Sequence, residues 1–146
     1  MRKLLLGEGP NSIKEDDKIR IDVVSAWADV VCDLNEKIPN IKGKFDYIEA
    51  FHIFEHIESP RQIKKIMIWL HKKLNEGGLL DIAVPYWHSE SAVECIEHVH
   101  FFNENSFMNF YSNPYAKEMG MPVFKLISNT IEPHGNHQQV RVKLTV

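Results

Sequence analysis

Phe45-Asp46-Tyr47-Ile48-Glu49-Ala50-Phe51 opens the part of the chain that decides the fold. It is an apolar, aromatic-rich run of strand length, preceded by the turn-like segment from Pro39 to Gly43. A helix comes next. Ser59 stands as N-cap, Pro60 takes the first helical position, and Gln62 completes a capping-box pattern. Ile63, Ile66, Met67, Leu70 and Leu74 then recur at i, i+3, i+4, i+7 and i+11, so one face is expected to be buried. Gly77-Gly78 is expected to end this helix and start a strand over Leu79 to Val84, closed by Pro85. Strand, helix and strand in that order predict a crossover between parallel neighbours.

Moving toward the start, Lys3 to Leu6 is a short buried-strand pattern that breaks at Gly7-Glu8-Gly9-Pro10. Ile19 to Val23 and Asp29 to Asp33 are two β-branched runs that carry acids at their carboxyl ends, while Asn11 to Lys18 has little helical patterning. Toward the other end, Asn103 is placed to cap a helix carrying Phe107, Phe110 and Tyr111. Phe124 to Ile131 then turns through Glu132 to Asn136 into a last strand, where Val140, Val142, Leu144 and Val146 alternate with polar residues. The expectation is an α/β, Rossmann-like three-layer sandwich. Its sheet is mostly parallel with an antiparallel C-terminal hairpin, and its first crossover helix is reduced to a loop. Ligands of such sheets bind outside the carboxyl ends of the strands.

Composition narrows the function classes. The chain has 146 residues, read as one domain over 1–146, and 44% are hydrophobic, enough for a packed core. A net charge of −3 supplies no overall pull toward nucleic acid or anionic membranes. No apolar run approaches a membrane span, and Met1 to Leu6 is too short for a signal peptide. Cys32 and Cys95 form no CxxC motif and read as reduced residues of a cytoplasmic protein.

Read in order, the strand ends resemble the class I S-adenosylmethionine-dependent methyltransferases, in particular the small type 11 group. Leu4-Leu5-Leu6-Gly7-Glu8-Gly9-Pro10 is similar to their first motif, Ile21-Asp22 to the second-strand acid, and Asp33-Leu34 to the adenine-holding pair. Phe45 to His56 resembles the fourth-strand block FDxIxAxHxxEH. Leu74-Asn75-Glu76-Gly77-Gly78-Leu79 with Val84-Pro85-Tyr86 resembles the block after the helix, with Glu76 in place of the usual proline. His98-Val99-His100-Phe101-Phe102 and Phe107 resemble the stretch before the late helix. The resemblance spans roughly residues 3 to 112 and implies S-adenosyl-L-methionine as cofactor, with a methyl acceptor that the sequence does not identify. It implies Gly7, Glu8, Gly9, Asp22, Asp33, Leu34, Ala50, Phe51 and His52 as cofactor-side residues, with Asp22 on the ribose and Ala50 to His52 flanking the methyl group. Glu8 stands where a small residue is usual, so its carboxylate is expected at the cofactor.

The acceptor side is expected at Tyr86, His98 and His100, with His52 and His56 as the catalytic candidates, His56 as general base. His52 to His56 also reads HxxEH, the inverted zinc-peptidase motif, but it follows an apolar strand rather than lying within a long helix. His98 and His100, spaced to point the same way, form with His88 a set that faces the acceptor or binds metal, though hydrogen-bonded loop histidines are the simpler reading. No metal is assigned on these grounds. The shortened first crossover keeps open a binding or regulatory subunit that has lost catalysis. Because the strands consume nearly the whole length, the acceptor is expected to be large or shallowly bound, or a homo- or hetero-oligomer completes the site, or the site is vestigial.

Overall fold

Leu4, Leu5 and Leu6 are all buried, on both sides of the strand they form, because Lys3–Leu6 (β1) runs through the middle of a parallel array. The computed structural model describes residues 1–11 and 13–146. On one side β1 pairs with β2 (Lys18–Asp22), which pairs with the two-residue β3 (Val30–Val31). On its other side come β4 (Phe45–Phe51) and β5 (Leu74–Pro85), also parallel. The hairpin β6 (Lys125–His134) and β7 (His137–Thr145) completes the sheet antiparallel, giving the order β3-β2-β1-β4-β5-β7-β6. The expected architecture is therefore present, mostly parallel with an antiparallel end. Gly135, with φ +58°, takes the first central position of a two-residue turn, so Pro133 and His134 belong to β6 and not to the turn.

The helix α1 (Pro60–Lys73) supplies the crossover between β4 and β5. Ile66, Met67 and Leu70 are fully buried, each contributing roughly 1.5–3 kcal/mol, and His71, Lys72 and Lys73 complement the negative end of the helix. The expected capping box does not form. Ser59 makes no side-chain cap, and Gln62 instead donates from Nε2 to the Leu34 carbonyl at 2.6 Å, tying the helix start to the loop after β3. Gly77-Gly78 does not separate helix from strand either. β5 begins directly at Leu74, and the register moves from Phe45↔Leu74 to Tyr47↔Leu79, so residues 75–78 bulge out with Gly77 left-handed at φ +71°.

A second correction concerns Asn103. Its Oδ1 accepts from the Asn105 N–H at 2.9 Å, forming a side-chain turn rather than a helix cap, and only a one-turn 3₁₀ segment follows at Met108–Phe110. The aromatic residues still bury as expected: Phe107 stacks on Phe102 at 5.6 Å and meets Phe54 edge-on at 5.7 Å. Together with α1 these rings pack against Leu4, Leu6, Ile48, Ala50, Ile82, Val84, Val142 and Leu144 as one core.

The two faces of the sheet are covered unequally. A right-handed crossover from β1 to β2 runs toward the opposite edge from the β4–β5 crossover and would lie on the face away from α1. Here the chain between β1 and β2 carries only a 3₁₀ turn, Gly9–Asn11, so among the described residues no α-helix covers that face. The three-layer expectation is thus met on one face only. The open face carries a polar cluster: Arg141 donates from Nε and Nη2 to Asp81 at 2.9 and 2.8 Å, and Tyr47 Oη lies 2.9 Å from Glu49 and 3.3 Å from Asp81. No helix among the described residues is long and apolar enough to cross a membrane.

Candidate functional site

Beyond the carboxyl ends of β1, β2 and β4 lies a crevice of about 660 Å³, within the range of small-molecule sites. Its floor is the turn after β1. Gly7 has φ +69° and donates its N–H to Ile21 O at 2.9 Å; a β-carbon there would stand 2.5 Å from Ile53 Cδ1. Gly9 shares the left-handed backbone, at φ +67°, but nothing lies within 4 Å of where its β-carbon would be. The second glycine therefore leaves open space over the backbone.

Asp22 closes β2 on one wall. Its Oδ1 accepts the Val24 N–H at 2.9 Å, and Oδ2 has no donor among the described residues. Asp33 and Leu34 line the same crevice further along. Asp33 Oδ1 accepts the Asn35 N–H at 2.8 Å, so it also nucleates the turn that an Asp-Leu-Asn sequence favours. Beside them Cys32 is buried, which pushes its thiol pKa up.

At the end of β4 the chain reverses sharply. His52 has φ +51°, the one non-glycine in the left-handed region among the described residues, and its N–H donates to Ala83 O at 2.8 Å. Gln139 Nε2 donates to Glu132 at 2.7 Å, which turns its Oε1 toward His52 Nε2 at 3.0 Å, so the imidazole donates there. His52 Nδ1 faces Glu55 Oε1 at 3.4 Å. Burial opposes protonation, but the Glu55 carboxylate and the Gln139 oxygen outweigh it and hold the His52 pKa above its ordinary value. His134, in the last position of β6, is exposed yet rests on the His52 ring at 4.7 Å; partial desolvation and the neighbouring imidazoles lower its pKa.

The crevice thus brings together Gly7, Gly9, Asp22, Asp33, Leu34, His52 and His56 from the sequence-derived set. Others lie elsewhere. Glu8 turns to the far side of β1, lining a smaller cavity and standing 3.8 Å from Lys18 Nζ, so its carboxylate is not at the crevice. Ala50 is fully buried, and Phe51 lies under the Arg141 guanidinium at 5.1 Å; Ile53 takes the wall position assigned to them. Tyr86 packs on the core and bridges to Phe102, while His88 lies against Trp87 at 3.7 Å. His98 rests edge-on against His56 at 4.7 Å. His100 Nε2 is buried without a hydrogen-bond partner, so the set His88, His98 and His100 is not assembled. Asn35 escaped the sequence reading: its Nδ2 donates to His56 O at 3.0 Å and its Oδ1 accepts the Glu58 N–H at 2.8 Å, bracing both walls. Its only signal was a place in a turn sequence.

No protein-family model and no protein of curated function matches the sequence. Solved structures do. The N-methyltransferase NodS from Bradyrhizobium japonicum is 14% identical over 99% of this chain and 84% of its own, with a TM-score of 0.66. An S-adenosylmethionine-dependent methyltransferase from Clostridium acetobutylicum is 12% identical over 99% and 83%, also at 0.66. TehB from Haemophilus influenzae is 14% identical over 88% of this chain and 49% of its own, at 0.57. The chain has the class I methyltransferase fold. Within this methyltransferase fold the link between β1 and β2 carries only the 3₁₀ turn Gly9–Asn11 among the described residues.

Proposed function

We propose that the chain is an S-adenosylmethionine-dependent methyltransferase acting from this crevice. The observation that carries the proposal is the juxtaposition of open space over Gly9 with the unengaged Oδ2 of Asp22, at the strand ends where this fold binds ligands. One solved NodS structure, with a TM-score of 0.53, is a complex with S-adenosyl-L-homocysteine, which supports the same choice of ligand. Gly7 and Gly9 let the backbone approach the methionine part, Asp22 accepts a ribose hydroxyl through Oδ2, and Asp33 with Leu34 borders the adenine. The bound cofactor supplies a methyl group already activated by a positive sulfur. The chain's work is to hold donor and acceptor at about 3–3.5 Å and to exclude water, and no base is needed unless the acceptor must lose a proton. His52, tethered by Gln139 and raised in pKa beside Glu55, positions rather than deprotonates. At the mouth Ile96 is 98% exposed and Val99 47%, so the acceptor side is open; a large acceptor or a second subunit fits such a site.

Calorimetry with S-adenosyl-L-methionine and S-adenosyl-L-homocysteine tests this. One-to-one binding is expected, and Asp22→Ala should weaken it by about 1–3 kcal/mol through loss of a charged hydrogen bond. Absence of heat at millimolar ligand would refute the cofactor assignment, and an unchanged affinity in the variant would refute the ribose role. A second reading, a cofactor-binding subunit without turnover, is favoured by the missing crossover helix. Tight binding without methyl transfer to amine, hydroxyl or thiol acceptors would select it.

A further inference from the structure

Glu55 sits behind the crevice wall, 1% exposed, and neither of its carboxylate oxygens has a hydrogen-bond partner. A buried carboxylate is costly unless a charge meets it. His52 approaches Oε1 from one side at 3.4 Å, outside hydrogen-bonding geometry. On another side two imidazoles converge: one ligand atom from each of Glu55, His56 and His98 lies within 4.8 Å of the others. Their placement is fixed by backbone contacts. The Val99 N–H donates to Glu55 O at 2.9 Å, docking the 98–99 segment on the 3₁₀ turn Phe54–His56, while Asn35 holds His56 O. His98 Nδ1 lies 3.3 Å from Ala92 O, and a carbonyl only accepts, so Nδ1 carries the proton and Nε2 keeps a lone pair. Metal-binding histidines are oriented by this kind of outer contact.

We infer that Glu55, His56 and His98 form a site for a divalent first-row transition ion. Two imidazoles and one carboxylate suit Zn²⁺ or Co²⁺ and leave at least one position for water or a ligand from the crevice, which His56 also lines. With bonds of about 2.0–2.1 Å, tetrahedral ligand atoms stand about 3.4 Å apart. Closing from 4.8 Å is within reach of side-chain rotation by His56 and His98, both only partly buried. The sequence motif pointed to a different pair. His52, the first histidine of HxxEH, is committed through Nε2 to Gln139, and the second imidazole comes from His98, distant in sequence. The site stands independently of the methyl-transfer proposal.

The test is titration of untagged, chelator-stripped protein with Co²⁺, followed by visible absorption and by metal content after desalting. One equivalent should bind with the intense bands of four- or five-coordinate Co²⁺, and Zn²⁺ should displace it. Glu55→Gln and His98→Gln should each weaken binding at least about tenfold, whereas His137→Gln should leave it unchanged. Absence of stoichiometric uptake by the unaltered protein would overturn the site, as would an affinity in both ligand variants unchanged from that of the unaltered protein. Should Glu55→Gln fail to fold by circular dichroism, His56→Gln and His98→Gln decide, with unchanged affinity in both overturning the assignment.

Discussion

Gly7 and Gly9 share a left-handed backbone but differ in what surrounds them, and the difference separates folding from binding. A β-carbon at Gly7 would stand 2.5 Å from the Ile53 Cδ1 methyl, so Gly7→Ala should destabilise the protein by the roughly 1–2 kcal/mol of left-handed strain plus the displacement of that side chain. At Gly9 the added methyl meets nothing, so Gly9→Ala should cost stability only that strain, yet fill the space over the backbone and weaken S-adenosyl-L-homocysteine at least about tenfold. Urea midpoints and calorimetry on the two variants check this; equal effects on both quantities would contradict it. The glycines and Asp22 were legible in the sequence because turn chemistry and strand ends are local signals. Glu8 was misplaced because the left-handed Gly7 breaks the alternation of β1 and puts the Glu8 side chain with Lys3 and Leu5, near Lys18. The Glu55, His56 and His98 group was not legible, since it exists only once Val99 docks on Glu55.

Among the elements, β7 carries the antiparallel half of the sheet and is pinned to β5 by an ion pair. Asp81 is 2% exposed, and Arg141 meets it with two parallel hydrogen bonds that raise the arginine pKa. Arg141→Met should cost about 3 kcal/mol, because it leaves a buried carboxylate beside Glu49 without its cation. Adding Asp81→Leu should recover much of that loss, and denaturant unfolding of the single and double variants measures the coupling. At the opposite edge Asp29 accepts hydrogen bonds from Arg20 N, Nε and Nη2 at 3.0, 3.0 and 3.1 Å, and these lower its pKa. A lowered pKa stabilises the fold above the unfolded carboxylate value of about 3.9 and loses that contribution as pH falls through the folded value. Asp29→Asn should therefore be less stable than the unaltered chain at neutral pH, with the gap closing toward pH 3. A gap independent of pH would show that the charge is not what matters. Elements with a strong period or run, β4 and α1, were readable in the sequence. The helix expected after Asn103 was not formed, because asparagine and serine side chains there bond the backbone in turns while each phenylalanine is held by the core.

For the whole molecule, the methyltransferase fold is kept with one helical face and one open polar face. The loss traces to the short link between β1 and β2, visible in the sequence as too few residues for helix and strand; the partly buried polar cluster of Tyr47, Glu49 and Arg141 on that face required the sheet register. What remains is a crevice whose floor and wall come from four loops, braced across by Gln62 on Leu34 and Asn35 on His56. The most direct test of a cofactor site in that crevice is a backbone amide NMR titration with S-adenosyl-L-homocysteine. Saturable one-to-one shifts should centre on Gly7, Gly9, Asp22, Asp33, Leu34 and Ile53, leaving β6 unmoved; absent shifts, or shifts confined to other surfaces, would contradict the account.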